Sequence, residues 1–247
     1  MDPQIERTLA ALHSRHLNGI FAENSGEARL KILELVPRNA VVGTGDSTAV
    51  NQLGIPKALK ERGTRVLDGF EPGGAGIDPK AAEEGHNRIV KEATICDVFL
   101  TGTNAITQDG RLVNVDGVGN RVAGMVWGHP ISVIVVGRNK IVRDLDEAFD
   151  RVRNIIAPNH VRIRSVELGG KRRQTPCVAT GECDDCRSTD RICNIFTIIE
   201  GKPLHTDLNV VIVNEDLGLG WDPLWPQDRI TKILENYKRF VWIPPNG

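Results

Sequence analysis

Four of the five cysteines fall in one short stretch, Cys177-Val-Ala-Thr-Gly-Glu-Cys183-Asp-Asp-Cys186-Arg-Ser-Thr-Asp-Arg-Ile-Cys193. The spacing is Cys-x5-Cys-x2-Cys-x6-Cys. Four thiolates can complete a tetrahedral metal shell or hold a [4Fe–4S] cluster. A Cys-x2-Cys pair lets two ligands leave one tight turn together. A four-cysteine zinc site usually shows two such pairs, and here there is one, so the spacing favours an iron–sulfur cluster over zinc. It is not the bacterial ferredoxin run. Arg187 and Arg191 would offset thiolate charge, and Gly181, Ser188, Thr189 and Asn194 are small or hydrogen-bonding neighbours. A redox disulfide or free thiols are the other readings. Cys96 stands apart, beside an apolar run, as a buried small hydrophobe.

A second concentration of chemistry is Thr101–Val142. Asn104, Asn114, Asp116, Asn120 and Arg121 gather polar groups around Gly117 and Gly119, and Lys140 follows. Polar residues placed so densely in an apolar region need partners. Either they hold a ligand or they form a network that locks two loops. In the first case Asp116 would be a general base, with Asn120 and Arg121 orienting the substrate. Asn104, Asn114 and Lys140 would bind it. A third place is Gly43-Thr44-Gly45-Asp46-Ser47-Thr48. Its glycines allow close approach of a ligand, and Ser47 and Thr48 add hydroxyls ahead of a helix. It lacks the following lysine of a P-loop and the full G-x-G-x-x-G fingerprint. A tight turn before a capped helix is the plainer alternative. His86 reads as part of a solvated helix face, and His129 before Pro130 as loop geometry or chemistry. The basic run Lys171-Arg172-Arg173 reads as a solvated face.

Apolar periodicity supplies the elements that must position these groups. Helices are expected from Pro3 to about His16, from a Ser25 cap to Leu35, over Pro56–Arg62, from Asp78 to about Ala93, and over Asp144–Arg153. Strands are expected at Ala40–Val42, Thr64–Leu67, Val98–Leu100, Ile131–Val136 and Leu208–Val213. Gln108-Asp109-Gly110 is a turn, and the stretch from Glu71 to Gly76 is a glycine-rich loop. Alternating short strands and helices imply a mostly parallel sheet with helices on both faces. Ligands then sit beyond the carboxyl ends of the strands, which singles out the junctions at Gly43, Gly102 and Gly137. From Ala157 the character changes to a cysteine-bearing loop region. The chain reads as one α/β domain over 1–247, with 157–200 a cysteine-rich metal-binding segment.

Charge is balanced, 31 Lys+Arg against 32 Asp+Glu, which argues against nucleic acid as a partner. No apolar run approaches the ~20 residues of a membrane span. The polar start, Met1-Asp-Pro-Gln, carries no secretory signal. These features predict a cytoplasmic protein with reduced thiols, acting on a small anionic or polar substrate, alone or as an oligomer.

The pattern Thr103-Asn-Ala-Ile-Thr…Asp109-Gly…Asn114…Asp116-Gly…Gly119-Asn-Arg-Val-Ala, with His129-Pro130 and Gly137-Arg-Asn-Lys-Ile-Val, resembles the LUD domain, the lactate-utilisation family. The resemblance covers about Ala40–Pro158 closely. It implies a Rossmann-like α/β/α sandwich similar to the ribose phosphate isomerase and CoA-transferase superfamily. It also implies a role in oxidation of lactate, a 2-hydroxy acid, or related electron transfer, with iron–sulfur redox partner subunits. The Gly43–Ser47 loop is similar to the sugar-phosphate loop of ribose phosphate isomerases. That likeness implies the alternative: a non-redox enzyme on a sugar-phosphate or acyl-CoA type substrate, with the cysteines holding a structural zinc.

Overall fold

β-Branched runs set the architecture, because residues that alternate faces must bury both when helices cover both. The computed structural model describes residues 1–70, 79–171 and 173–243. Six strands make the central sheet: β1 (Asn18–Ala22), β2 (Val41–Thr44), β3 (Arg65–Leu67), β4 (Val98–Gly102), β7 (Ile131–Gly137) and β10 (Asp207–Val213). Their order is β1-β10-β7-β4-β2-β3, and every pairing is parallel. The chain runs from β2 out to β3, then returns to β4 on the other side of β2. The crevice between β2 and β4 is therefore the point where such sheets bind ligands.

Alternate residues of one strand feed different cores. Val133 and Val135 of β7 pack with Val211 and Val213 against α2 (Ser25–Leu35), α3 (Thr48–Gln52) and α4 (Ile55–Glu61). Ile134 and Val136 pack on the opposite face with Ile5 and Leu12 of α1 (Pro3–Ser14) and Met125 of α6 (Asn120–Val126). Helix α5 (Pro79–Ala93) adds Ala93 to a small cluster with Cys96 and Phe99.

A second sheet, not foreseen from the sequence, lies on the α1 side. It comprises β5 (Ala105–Thr107), β6 (Leu112–Asp116), β8 (Ile141–Val142) and β9 (Ile195–Ile199) in the order β8-β5-β6-β9. β5 and β6 are antiparallel about the Gln108–Gly110 turn, where Gly110 has φ 86°. Ile106 and Leu112 face the first sheet, while Ala105 and Val113 face a third core. That core is closed by α7 (Leu145–Arg151), by Ile155, Ile156 and Ile163 on either side of α8 (Ala157–Arg162), and by α10 (Gln227–Phe240).

Several expectations shift. The α2 cap is Asn24, whose side chain accepts from Glu27 N at 3.0 Å; Ser25 Oγ instead donates to Glu215. Asn serves as well as Ser at a cap, so the position slips by one residue. The helix begun at Leu145 does not stop at Arg153. It continues through a π-helical turn (Val152–Ile156), α8 and a second π turn (Ile163–Glu167). Pro158 sits at the start of α8, just past the first π turn, where the wider turn accommodates its missing N–H. So 157–167 is helix, and the irregular segment starts after it, around the short α9 (Pro176–Thr180). α10, strongly amphipathic, is a further element without a sequence expectation. The expected loop from Glu71 to Gly76 and the Asp78 cap lie outside the described residues, as does Arg172. Among the described residues no helix is long and apolar enough to cross a membrane.

Candidate functional site

A cavity of about 310 Å³ opens at the carboxyl ends of β2, β4 and β7. Its floor is the crevice between β2 and β4. Asp46, Ser47 and Thr48 arrive from β2, Gly102, Thr103 and Asn104 from β4, and Lys140 from the turn after β7. Asp116 and Arg121 close one side. The other side comes from far along the chain: His160 on α8, Arg164 on the second π turn, Tyr237 on α10, and Trp242 after it.

Arg121 is the knot of the central block. Its guanidinium donates to Gly102 O at 3.0 Å, Asn104 Oδ1 at 2.8 Å and Val115 O at 2.6 Å, and lies 3.8 Å from Asp116. It thus ties the end of β4 to β6. Burial lowers its pKa, while Asp116 and Asp46 oppose that shift. Asp116 is equally occupied. Its Oδ1 accepts from Val118 N at 3.2 Å and Gly119 N at 3.1 Å, and its Oδ2 from Val122 N at 3.3 Å. Gly119 is the N-cap of α6, so Asp116 holds the turn that leads into the helix and one N–H of its first turn. Asn114 is fully buried and accepts from Thr103 Oγ1 at 2.9 Å; it does not line the cavity. Its Nδ2 finds no partner among the described residues. Asn120 lines the cavity and makes no side-chain hydrogen bond among the described residues.

Only part of the Gly43–Thr48 loop reaches the cavity. Gly43 is filled in from behind by Ala93 and by Cys96 Sγ, which a Cβ would approach to 2.8 Å. Gly45 lies against Thr101 and Arg121, and Thr44 Oγ1 donates to Asp68 at 2.8 Å. Ser47 caps α3, accepting from Val50 N at 3.4 Å. A helix this short contributes little dipole, so the hydroxyls of Ser47 and Thr48 are the loop's offering.

Lys140 differs from both. Its Nζ is buried and donates to Thr103 O at 2.9 Å. Desolvation, then the nearby Arg121, pushes its pKa down to about 7. The turn that carries it is fixed by Asn139, which donates to Gly220 O at 2.9 Å and accepts from Leu217 N at 2.9 Å.

The sequence did not single out the proton-handling group opposite. Arg164 lies 3.3 Å from Asp46 and 3.0 Å from His160 Nε2. His160 Nδ1 meets the Tyr237 hydroxyl, which has Thr48 beside it. A guanidinium only donates, so Nε2 accepts. Burial holds the imidazole pKa well below its ordinary value, with Arg164 adding to the effect. The neutral ring therefore carries its proton on Nδ1, toward Tyr237. Asp46 has a raised pKa, from burial first, although Arg164 and Arg121 pull it back. Its side chain lines the cavity and keeps a quarter of its surface exposed. At the mouth His86, expected on a solvated face, donates from Nδ1 to Gly69 O at 2.6 Å and stacks on Trp242, ring centroids 5.0 Å apart. His129 is buried under Phe99, bonds Gly124 O and stays away from the cavity. Cys96 donates to Ala93 O and Val98 O, and burial raises its thiol to about 11.

The cysteine segment packs directly on the central block. Asn194 N donates to Asp116 O at 3.0 Å, and Ile192 and Cys193 line the cavity. Arg191 staples the segment through Cys186 O at 2.6 Å, Cys193 O at 3.1 Å and Asp185 at 3.0 Å. Burial raises the Cys177 thiol, Thr175 lowers it, and Cys186, Cys193 and Cys183 each raise it further. The four thiols thus share one neighbourhood, and their chemistry suits a metal. As arranged, however, no three His, Cys, Asp or Glu side chains among the described residues are placed to hold a metal ion together.

A family model described as LUD domain matches residues 5–213. No curated protein matches the chain. Among solved structures, a DUF162 family protein from Deinococcus radiodurans aligns at 16% identity and TM-score 0.42, covering 85% of this chain and 94% of that one. Ribose 5 phosphate isomerase A from Neisseria gonorrhoeae aligns at 17% identity and TM-score 0.32, covering 58% of this chain and 64% of that one. Tyr237 and Trp242 lie beyond the span of the family match.

Proposed function

Because the chain belongs to the LUD domain family, we propose that it serves lactate utilisation by binding a small anionic metabolite, a 2-hydroxy acid or its oxidised partner, in the cavity between β2 and β4. The supporting observation is Lys140, a buried cation on the cavity wall with no carboxylate in ion-pair range among the described residues. A carboxylate ligand would supply the missing charge. Ser47 and Thr48 would hydrogen-bond its other oxygens, and Trp242 and His86 would limit water at the mouth. Asn120 would complete the polar wall. Asp116 and Arg121 act in this proposal as positioning residues that hold Asn104 and the start of α6.

For the cofactor the proposal is a [4Fe–4S] cluster on Cys177, Cys183, Cys186 and Cys193, with zinc the alternative. Its support is the four-thiol donor set, and binding requires the thiols to draw together from the arrangement seen here. The role with iron–sulfur partner subunits is likewise a proposal. A second reading is favoured by the Asp46–Arg164–His160–Tyr237 chain. Within it Asp46, held by Arg164 and raised in pKa by burial, suits proton transfer on a sugar-phosphate or acyl-CoA type substrate.

Thermal-shift titration separates the two readings, since a ligand that binds only the folded state raises its melting temperature. L-Lactate and pyruvate should stabilise the protein, and Lys140→Met should abolish the shift. Stabilisation by ribose 5-phosphate or a CoA ester alone would favour the second reading. No shift with any of them would sink both. Iron, sulfide and zinc analysis of anaerobically purified protein decides the cofactor.

A further inference from the structure

The other well-paired lysines of this chain show what a structural ammonium looks like here. Lys31 sits 2.6 Å from Glu27, Lys202 2.5 Å from Asp207, and Lys238 2.6 Å from Glu167. Lys140 is more buried than any of these and has no carboxylate in ion-pair range among the described residues. One of its three possible donations is used, to Thr103 O. Room has been kept for it. A Cβ on Gly218 would stand 2.9 Å from its Nζ and 3.1 Å from its Cε, and Gly218 also has φ 66°. Its charged neighbour is a cation, Arg121. Desolvation and an adjacent positive charge are the two standard ways of turning a lysine into an amine nucleophile.

We propose that Lys140 is the nucleophile of the cavity and condenses with the carbonyl of a small 2-oxo acid to form an imine. The proposal rests on the reading that the cavity takes a small anionic metabolite, and it names the chemistry of that metabolite. The Nζ lone pair adds to the carbonyl carbon and opens the C=O π bond to give a carbinolamine. The nitrogen then gives up its protons, the former carbonyl oxygen leaves as water, and the C=N bond forms. Amine plus ketone gives imine plus water, with no net oxidation or reduction. Asp46 is the carboxyl of the same cavity that can lend the proton to the departing hydroxyl and recover it from nitrogen. The neutral amine population that burial secures near neutral pH supports the step. The other titratable groups on these walls are His86, Asp116, Arg121, His160, Arg164, Arg173, Cys193 and Tyr237.

The test uses the intact wild-type protein. It is incubated with pyruvate near neutral pH in the presence of cyanoborohydride, then analysed by intact mass and peptide mapping. The expected result is one reduced adduct per chain, mapped to Lys140, and absent when L-lactate replaces pyruvate. Lys140→Arg keeps the cation and should lose the mapped adduct completely. Thermal shift is read in parallel. Stabilisation by pyruvate without an adduct overturns the imine while leaving the binding site standing. Adducts scattered over exposed lysines, with Lys140 not preferred, also overturn it. Neither adduct nor stabilisation overturns both the imine and the site.

Discussion

A buried ammonium normally brings a counter-ion with it, because desolvating the charge costs several kcal/mol. Lys140 shows the signature of a residue kept against that cost, which locates strain where binding would relieve it. Its folded pKa of about 7 lies below the ordinary value of 10.5. Between those values the unfolded chain binds one more proton at this residue than the folded chain. Stability therefore rises with pH across that window, by up to ~1.4 kcal/mol per pH unit from this group. Below about pH 7 both states are protonated and the burial penalty is fully felt. Lys140→Met should raise stability at pH 6 by roughly 1–3 kcal/mol, after allowing for relaxation and water entry, and flatten the rise between pH 7 and 10. Urea unfolding of both proteins across that range checks it. A mutant less stable than wild type at pH 6 would mean that the ammonium is structurally satisfied. Asp116 stands at the other extreme. Asp116→Ala strips three N–H groups, in the turn into α6 and its first turn, of their acceptor and leaves Arg121 undercompensated, so it should cost about 2–4 kcal/mol. That loss in the melting curve, rather than a folded protein lacking only turnover, marks a positioning residue.

At the scale of elements, α6 shows how tightly the central block is seated. A Cβ on Gly124 would fall 2.5 Å and 2.6 Å from the ring atoms Cε1 and Cε2 of Phe99. The ring is itself stacked on His129, 5.3 Å between centroids, and buried, so it has nowhere to go. Gly124→Ala should push α6 off β4 and cost roughly 1–3 kcal/mol, despite alanine's better helix propensity. A melting temperature equal to or above wild type would show that the contact is soft. The sequence carried no expectation of α6, and the elements that were legible share one property: their signal is local. β7 is read from a β-branched run interrupted only by Ser132, the β5–β6 turn from Asp109-Gly110, and α1 from apolar spacing. β1 and β9 were missed because five-residue strands such as Asn18–Ala22 and Ile195–Ile199 carry partners far away, at Asn209 and Asp116 respectively. The long helix past Arg153 was missed because Pro158 reads locally as a break. Only the preceding π turn, invisible in a 3.6-residue pattern, lets the helix continue.

At the scale of the molecule, the cavity is half local and half remote, and sequence reasoning reached the local half. Ser47, Thr48, Asn104 and Lys140 come directly after expected strands, so their convergence is a consequence of a parallel sheet; Asn120 and Arg121, singled out by polar density, arrive on α6 behind the unforeseen β6. Asp46 lies in the same loop, yet its partner Arg164 is 118 residues on, and His160 and Tyr237 are 77 residues apart. No periodicity links such positions. The last of these groups hangs on α10, which Asn51 ties to α3 through Phe240 O at 3.3 Å. Tyr237→Phe keeps the ring that packs with Ile230 and Ile233 and removes only the hydroxyl between His160 and Thr48. Its stability cost should stay near ~1 kcal/mol, that of one hydrogen-bonding group. His160 would keep the tautomer that Arg164 imposes but lose the acceptor for its Nδ1–H, leaving a buried donor unpaired at the cavity wall. Ligand binding should consequently weaken by about tenfold, equivalent to ~1.4 kcal/mol, with the fold intact. Calorimetric titration with pyruvate, paired with a melting curve, separates the two effects. Unchanged affinity would confine α10 to a structural cover, and the working site to the β2–β4 crevice and Lys140.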